Sequence, residues 1–131
     1  MFSGLDHIDL VCEDPQRMAE FFVSLGFRKL GDIPSGGIKV QFPGGCDQPY
    51  LDLRPHKDSQ GNVVKPLGLH HIALRCDNVN AIADRADELN LALKRAPYAG
   101  HTGRMLVTMT MPDGSQLQCA EYKPGWTWDR S

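Results

Sequence analysis

The sequence predicts an α+β fold: two tandem βαβββ modules whose strands form a curved mixed sheet around a concave site. One observation behind this is an internal repeat. Leu5-Asp6-His7-Ile8-Asp9-Leu10-Val11-Cys12 aligns with Leu69-His70-His71-Ile72-Ala73-Leu74-Arg75-Cys76 at an offset of 64 residues, with Leu, His, Ile, Leu and Cys recurring in place. Ala19 with Ala83 and Leu25 with Leu89 extend the match without a gap. The other observation is that both copies pass through the same order of periodicities, from alternation to helical spacing and then to short extended runs separated by turn residues.

Each copy opens on a strand. Ile8, Leu10 and Cys12 fall on one side and His7, Asp9 and Val11 on the other, the period-2 pattern of a half-buried strand. His7, and by the repeat His71, is therefore expected on the face opposite the apolar core. Asp14-Pro15 supplies a cap and a first-turn proline for a helix over 16–25, where Met18, Phe21, Phe22 and Leu25 form the apolar stripe before Gly26 ends it. In the second copy Asn78 caps, and Ile82, Ala83, Ala86 and Leu89 form the stripe.

Three extended runs follow each helix, at about 27–31, 37–42 and 49–54, then at 91–96, 104–111 and 116–122. Pro43-Gly44-Gly45 and Pro112-Asp113-Gly114 are the turns before the last strand of each module. The expected organisation is one domain over 1–131: module one at about 1–54, a polar linker at 55–66, module two at about 67–123 and a tail at 124–131 carrying Trp126 and Trp128.

A chain of 131 residues can bury a sizeable core without disulfide or metal staples, so a metal here would serve function rather than folding. The net charge of -2 gives no basic footprint for nucleic acid or acidic membranes. No stretch approaches the roughly 18 apolar residues of a membrane span, and the N-terminus lacks a signal-peptide pattern. Cys12, Cys46, Cys76 and Cys119 are scattered, three of them in strand-like runs, and read as thiols in a reducing compartment. The expected location is the cytoplasm.

Leu5-Asp6-His7-Ile8, the helix with Leu25-Gly26-Phe27 after it, His70-His71-Ile72-Ala73 and Pro112-Asp113-Gly114 before a final strand together resemble the vicinal oxygen chelate superfamily. That superfamily includes glyoxalase, methylmalonyl-CoA epimerase, extradiol dioxygenases and the fosfomycin and bleomycin resistance proteins. The resemblance covers nearly the whole chain and implies a glyoxalase-like fold, but the superfamily spans many chemistries.

It also implies a ligand set. Metal-binding members use the strand-one histidine of each module and a residue, usually Glu, in the middle of each module's last strand. The matching positions here are His7, His71, Asp52 and Gln118. This His, Asp, His, Gln set suits a divalent Zn, Ni, Fe, Mn or Co ion. Gln118 departs from the pattern: its carbonyl oxygen can ligate, but it cannot act as a general base, which leaves Asp52 as ligand or base. Strand parity turns Glu121 away from the site.

The expected function is a metal-dependent lyase or isomerase acting on a small substrate with vicinal oxygens, in a homodimer that builds its sites within one chain or across two. Two other readings stand beside it. One is a metal-free small-molecule binding protein of the antibiotic-sequestering type. The other is a ring-cleaving dioxygenase, whose carboxylate would have to be Asp52 in the module where that subfamily does not place it. Asp9, Lys39, Gln41, Tyr50, Arg54, Arg75, Leu106, Thr108 and Thr110 are expected on the same face as the histidines.

Overall fold

A computed structural model describes residues 1–123, so the tail with its two tryptophans lies outside the described residues. Ten elements follow in order: β1 Phe2–Cys12, α1 Pro15–Ser24, β2 Arg28–Ile33, β3 Gly37–Gln41, β4 Tyr50–Pro55, β5 Gly68–Cys76, α2 Val79–Asp84, β6 Ala92–Ala99, β7 Met105–Thr110 and β8 Gln116–Glu121. This is βαβββ twice, as the repeat predicts.

The described residues divide into two compact units, His7–His70 and Met1–Asp6 with 71–123. In the first, β1 pairs in parallel with β4, β4 antiparallel with β3, and β3 antiparallel with β2. Helix α1 packs on one face of this sheet, burying Cys12, Ala19, Ile38, Val40, Leu51 and Leu53, with Ile8, Leu10, Met18 and Phe22 against them. The alternation of β1 is thus realised, and His7 and Asp9 take the other face.

The second unit repeats the plan. β5 pairs in parallel with β8, β8 antiparallel with β7, and β7 antiparallel with β6. Its core joins Cys76, Val79, Ile82, Ala86, Val107, Met109, Leu117 and Cys119. Met109 and Val107 are fully buried here, as the alternation with Thr108 and Thr110 suggests.

The two helices start and stop by the same devices. Asp14 accepts from the Arg17 amide at 3.1 Å and Asn78 from the Ala81 amide at 3.1 Å. At the end of α1 the Phe27 amide donates to the Phe22 carbonyl and the Gly26 amide to that of Val23, a Schellman stop. Gly26 adopts φ of 100°, and the Phe22 and Phe27 rings meet at 5.0 Å.

Asn90 stands 64 residues later with φ of 59°, and the Leu91 and Asn90 amides donate to Ala86 and Asp87 in the same pattern. Helix α2 itself is shorter than its apolar stripe, ending at Asp84. Beyond it, i to i−3 bonds such as Arg85 to Ile82 and Ala86 to Ala83 tighten the chain into turns. Ala86 still reaches the core through those turns.

Candidate metal centre

In the first unit the site begins with register. On β1 and β4, His7 lies opposite Tyr50, and Asp9 opposite Asp52. On β3 and β4, Lys39 lies opposite Asp52, and Gln41 opposite Tyr50. The period of two places all six side chains on the face turned away from α1, and all six are buried. Burial of so many polar groups requires that they satisfy one another.

A chain of contacts joins them. The His7 ring stacks on Tyr50 with centroids 4.7 Å apart, and Lys39 Nζ lies 4.2 Å from the centre of the same Tyr50 ring. Lys39 Nζ is 4.0 Å from Asp52 Oδ1, and Arg54 Nη2 is 3.5 Å from Asp52 Oδ2. Arg54 Nε also donates to Asp9 Oδ2. Burial alone would lower the Arg54 guanidinium, but Asp9 and then Asp52 outweigh it and hold the pKa above its ordinary value. Gln41 is fixed by Arg28 at 2.6 Å and by the Gln48 carbonyl at 2.9 Å.

A sequence-predicted ligand, Asp52, therefore shares its face with His7 but lies two residues along, beside Asp9. Its Oδ1 is buried and accepts no hydrogen bond among the described residues. An anionic oxygen so placed fits a cation, and the imidazole and oxygen donors of this face fit the borderline divalent ions. Asp9 and His70 also present ligand atoms within 4.8 Å of each other. Parity along β5 concealed that pair, because it set His70 on the side opposite His71.

The second unit places Gln118 opposite Ala73 on β5 and opposite Thr108 on β7. This is the position Asp52 holds against Asp9 and Lys39, so Asp52 and Gln118 are structural equivalents. His71 and Gln118 are both buried. Gln118 Nε2 donates to Tyr98 Oη at 2.9 Å, and that hydroxyl lies 3.0 Å from Thr108 Oγ1. The Arg95 guanidinium lies 3.6 Å over the Tyr98 ring.

Sequence reasoning did not single out Tyr98, because the extended run expected at 91–96 stops short of it, whereas β6 continues to Ala99. Glu121 is accounted for: its Oε1 accepts from the Val79 amide at 3.2 Å, at the start of α2. Arg75, expected on the histidine face, has its Nε 3.6 Å from Asp6 Oδ1 and its guanidinium 4.1 Å over the Tyr122 ring.

Among the described residues, no helix is long and apolar enough to cross a membrane. No curated protein matches the chain in sequence. Among solved structures it is similar to a methylmalonyl-CoA epimerase in complex with methylmalonyl-CoA and ammonium, with a TM-score of 0.74, 19% identity, and coverage of 97% of this chain and 99% of that one. The methylmalonyl-CoA epimerase of Mycobacterium tuberculosis gives a TM-score of 0.72 at 17% identity, covering 94% and 90%. A hypothetical protein of Bacillus halodurans gives 0.68 at 21% identity, covering 93% and 96%. At these identities the likeness is one of fold. Residues 6–108 match the family model itself, and the chain belongs to the Glyoxalase/Bleomycin resistance protein/Dioxygenase superfamily.

Proposed function

We propose that the protein is a divalent-metal-dependent isomerase or lyase acting on a small substrate with vicinal oxygens, working as a homodimer in the cytoplasm. His7 and Asp52 of one unit and His71 and Gln118 of the other are its ligating residues. The observation that carries this reading is the register equivalence of Asp52 and Gln118, each on the last strand of its unit and on the face shared with a strand-one histidine. The buried Oδ1 of Asp52, which accepts no hydrogen bond among the described residues, supports it. Structures of the same fold described as methylmalonyl-CoA epimerases, one with its acyl-CoA bound, favour a substrate whose reacting carbon is next to a carbonyl.

When bound, the ion would supply positive charge against substrate oxygens and so lower the barrier to proton loss beside them. The protein's own part is to place oxygen and imidazole donors and to move the proton. Gln118 carries no charge and contributes only its carbonyl oxygen. Asp52 is the carboxylate available to accept a proton, with Arg54 and Lys39 holding it in place.

Metal analysis of protein purified without an affinity tag tests this. A stoichiometric ion that is lost in His71→Ala supports it, whereas metal-free protein that takes up no added Ni, Zn or Mn would sink it. One observation favours the second reading, a metal-free binding protein. On the first unit's ionic face, Asp9 and Asp52 are already matched by Arg54 and Lys39.

A further inference from the structure

We propose that Lys39 is the resident cation of the Asp52 site, and that a divalent metal reaches Asp52 only by displacing the lysine ammonium. The proposal rests on the metal reading for its ligand and gives Lys39 a role beyond holding Asp52 in place. Lys39 stands directly opposite Asp52 on neighbouring strands, and both side chains are almost wholly buried, at 7% and 3% exposure. Its ammonium lies 4.0 Å from the carboxylate oxygen that accepts no hydrogen bond among the described residues. Arg54 faces the other oxygen.

A comparison of the two units shows that the charges come as a pair. At the register position where the first unit sets Lys39 against Asp52, the second sets Thr108 against Gln118. Where the acid is replaced by an amide, the cation is replaced by a hydroxyl. Lys39 therefore goes with the acid, as a counter-ion would. The remaining charges of this face, Asp9 and Arg54, balance each other.

A metal–carboxylate bond is about 2.0–2.2 Å long. An ion on Asp52 Oδ1 would thus sit within about 6 Å of Lys39 Nζ if the lysine stayed in place. At that range, away from bulk water, two like charges repel strongly. The two cations exclude each other. Arg54 is held by Asp9, whereas Lys39 sits on a flexible four-carbon stem. Metal then binds less tightly than it would without Lys39, and the metal-free protein keeps a balanced site.

Equilibrium dialysis with Zn and Ni, applied to the wild type, Lys39→Met and Lys39→Arg, tests the proposal. Lys39→Met should bind at least about 100-fold more tightly than the wild type, as expected on removal of a neighbouring like charge, and Lys39→Arg should stay weak. A second measurement avoids any folding defect of the variants. In the wild type, Lys39 should resist reductive methylation without metal and become reactive at saturating Zn. Binding in Lys39→Met no tighter than in the wild type, binding by neither protein, or Lys39 protection unchanged by bound Zn would each overturn the proposal.

The outcomes also separate the two readings. Stoichiometric metal in the wild type that Lys39→Met leaves unchanged overturns the Lys39 proposal alone. Metal taken up only by Lys39→Met supports it while removing the metal-dependent function of the natural protein.

Discussion

Asp6 and Arg104, 98 residues apart in sequence, form a bidentate ion pair at 2.7 and 2.8 Å, with Asp6 fully buried. Arg104 also donates to the Glu121 carbonyl at 3.3 Å, and Arg75 approaches the same aspartate. The pair ties the first residues of the chain to the unit otherwise built from His71 onward. Removing one partner of a buried pair strands the other charge, which typically costs about 3–5 kcal/mol. Asp6→Ala, which strands two guanidinium groups, should lie at the upper end of that range, and Arg104→Met near the lower. Urea denaturation measures both. A loss below about 1 kcal/mol for Asp6→Ala would show that the pair contributes little.

The bond from Gln118 to Tyr98 yields a prediction about the other half of the proposed ligand set. With its Nε2 committed to the phenol oxygen, Gln118 keeps its carbonyl oxygen for a ligand. Tyr98→Phe preserves the ring under Arg95 but removes the acceptor. Loss of such an orienting partner weakens metal binding about 10- to 100-fold, at a stability cost of about 0.5–1.5 kcal/mol. Dialysis against Zn and thermal melts of the same variant would separate the two effects. An unchanged Zn affinity would exclude an orienting role for Tyr98.

The helix stops give a prediction that involves no ligand. A Cβ at Gly26 would meet no atom closer than 4.0 Å, so Gly26→Ala should destabilise through backbone conformation alone, by about 1–2 kcal/mol. Asn90 occupies the equivalent place with a residue that tolerates the left-handed region less well than glycine. Asn90→Gly should therefore be neutral or stabilising by up to about 1 kcal/mol, and Asn90→Ala destabilising. Denaturant midpoints of the three variants decide it.

These stops also show what the sequence carries and what it does not. The strand-one alternation, the caps at Asp14 and Asn78 and the stop at Gly26 are local signals, legible in a few residues, and the offset of 64 carries them from one module to the other. The placement of Asp52 and Gln118 came from the family resemblance, and the register bears out that the two positions are equivalent. The pairs Arg54 with Asp9 and Arg104 with Asp6 were not legible. Each depends on which strands become neighbours and in what register, and no single segment encodes that. His70 was misplaced for a related reason: simple alternation along β5 did not place it near Asp9. The early end of α2 was hidden because Ala86 remains buried although the chain around it is in turns.

The cysteines provide the last test. Cys12, Cys76 and Cys119 are buried and Cys46 is exposed, with no disulfide among them. Burial raises the Cys76 thiol to about 11 and the Cys119 thiol to about 12, from an ordinary value of 9.0, with nearby acids adding to the first and Cys76 to the second. A thiol-specific reagent at neutral pH should therefore modify one cysteine, Cys46, in the native protein and all four after denaturation. Above pH 9 the unfolded chain releases the Cys76 and Cys119 protons while the folded chain keeps them. Their contribution to stability is complete below pH 9 and is lost as the pH rises toward 11 and 12. Each thiol can add up to about 1.4 kcal/mol per pH unit to the fall in that window. Melting temperatures between pH 8 and 10.5 should decline less steeply in Cys76→Ala/Cys119→Ala than in the wild type, whatever the absolute stability of the variant. Parallel slopes would mean that the two thiols ionise alike in the folded and unfolded chains.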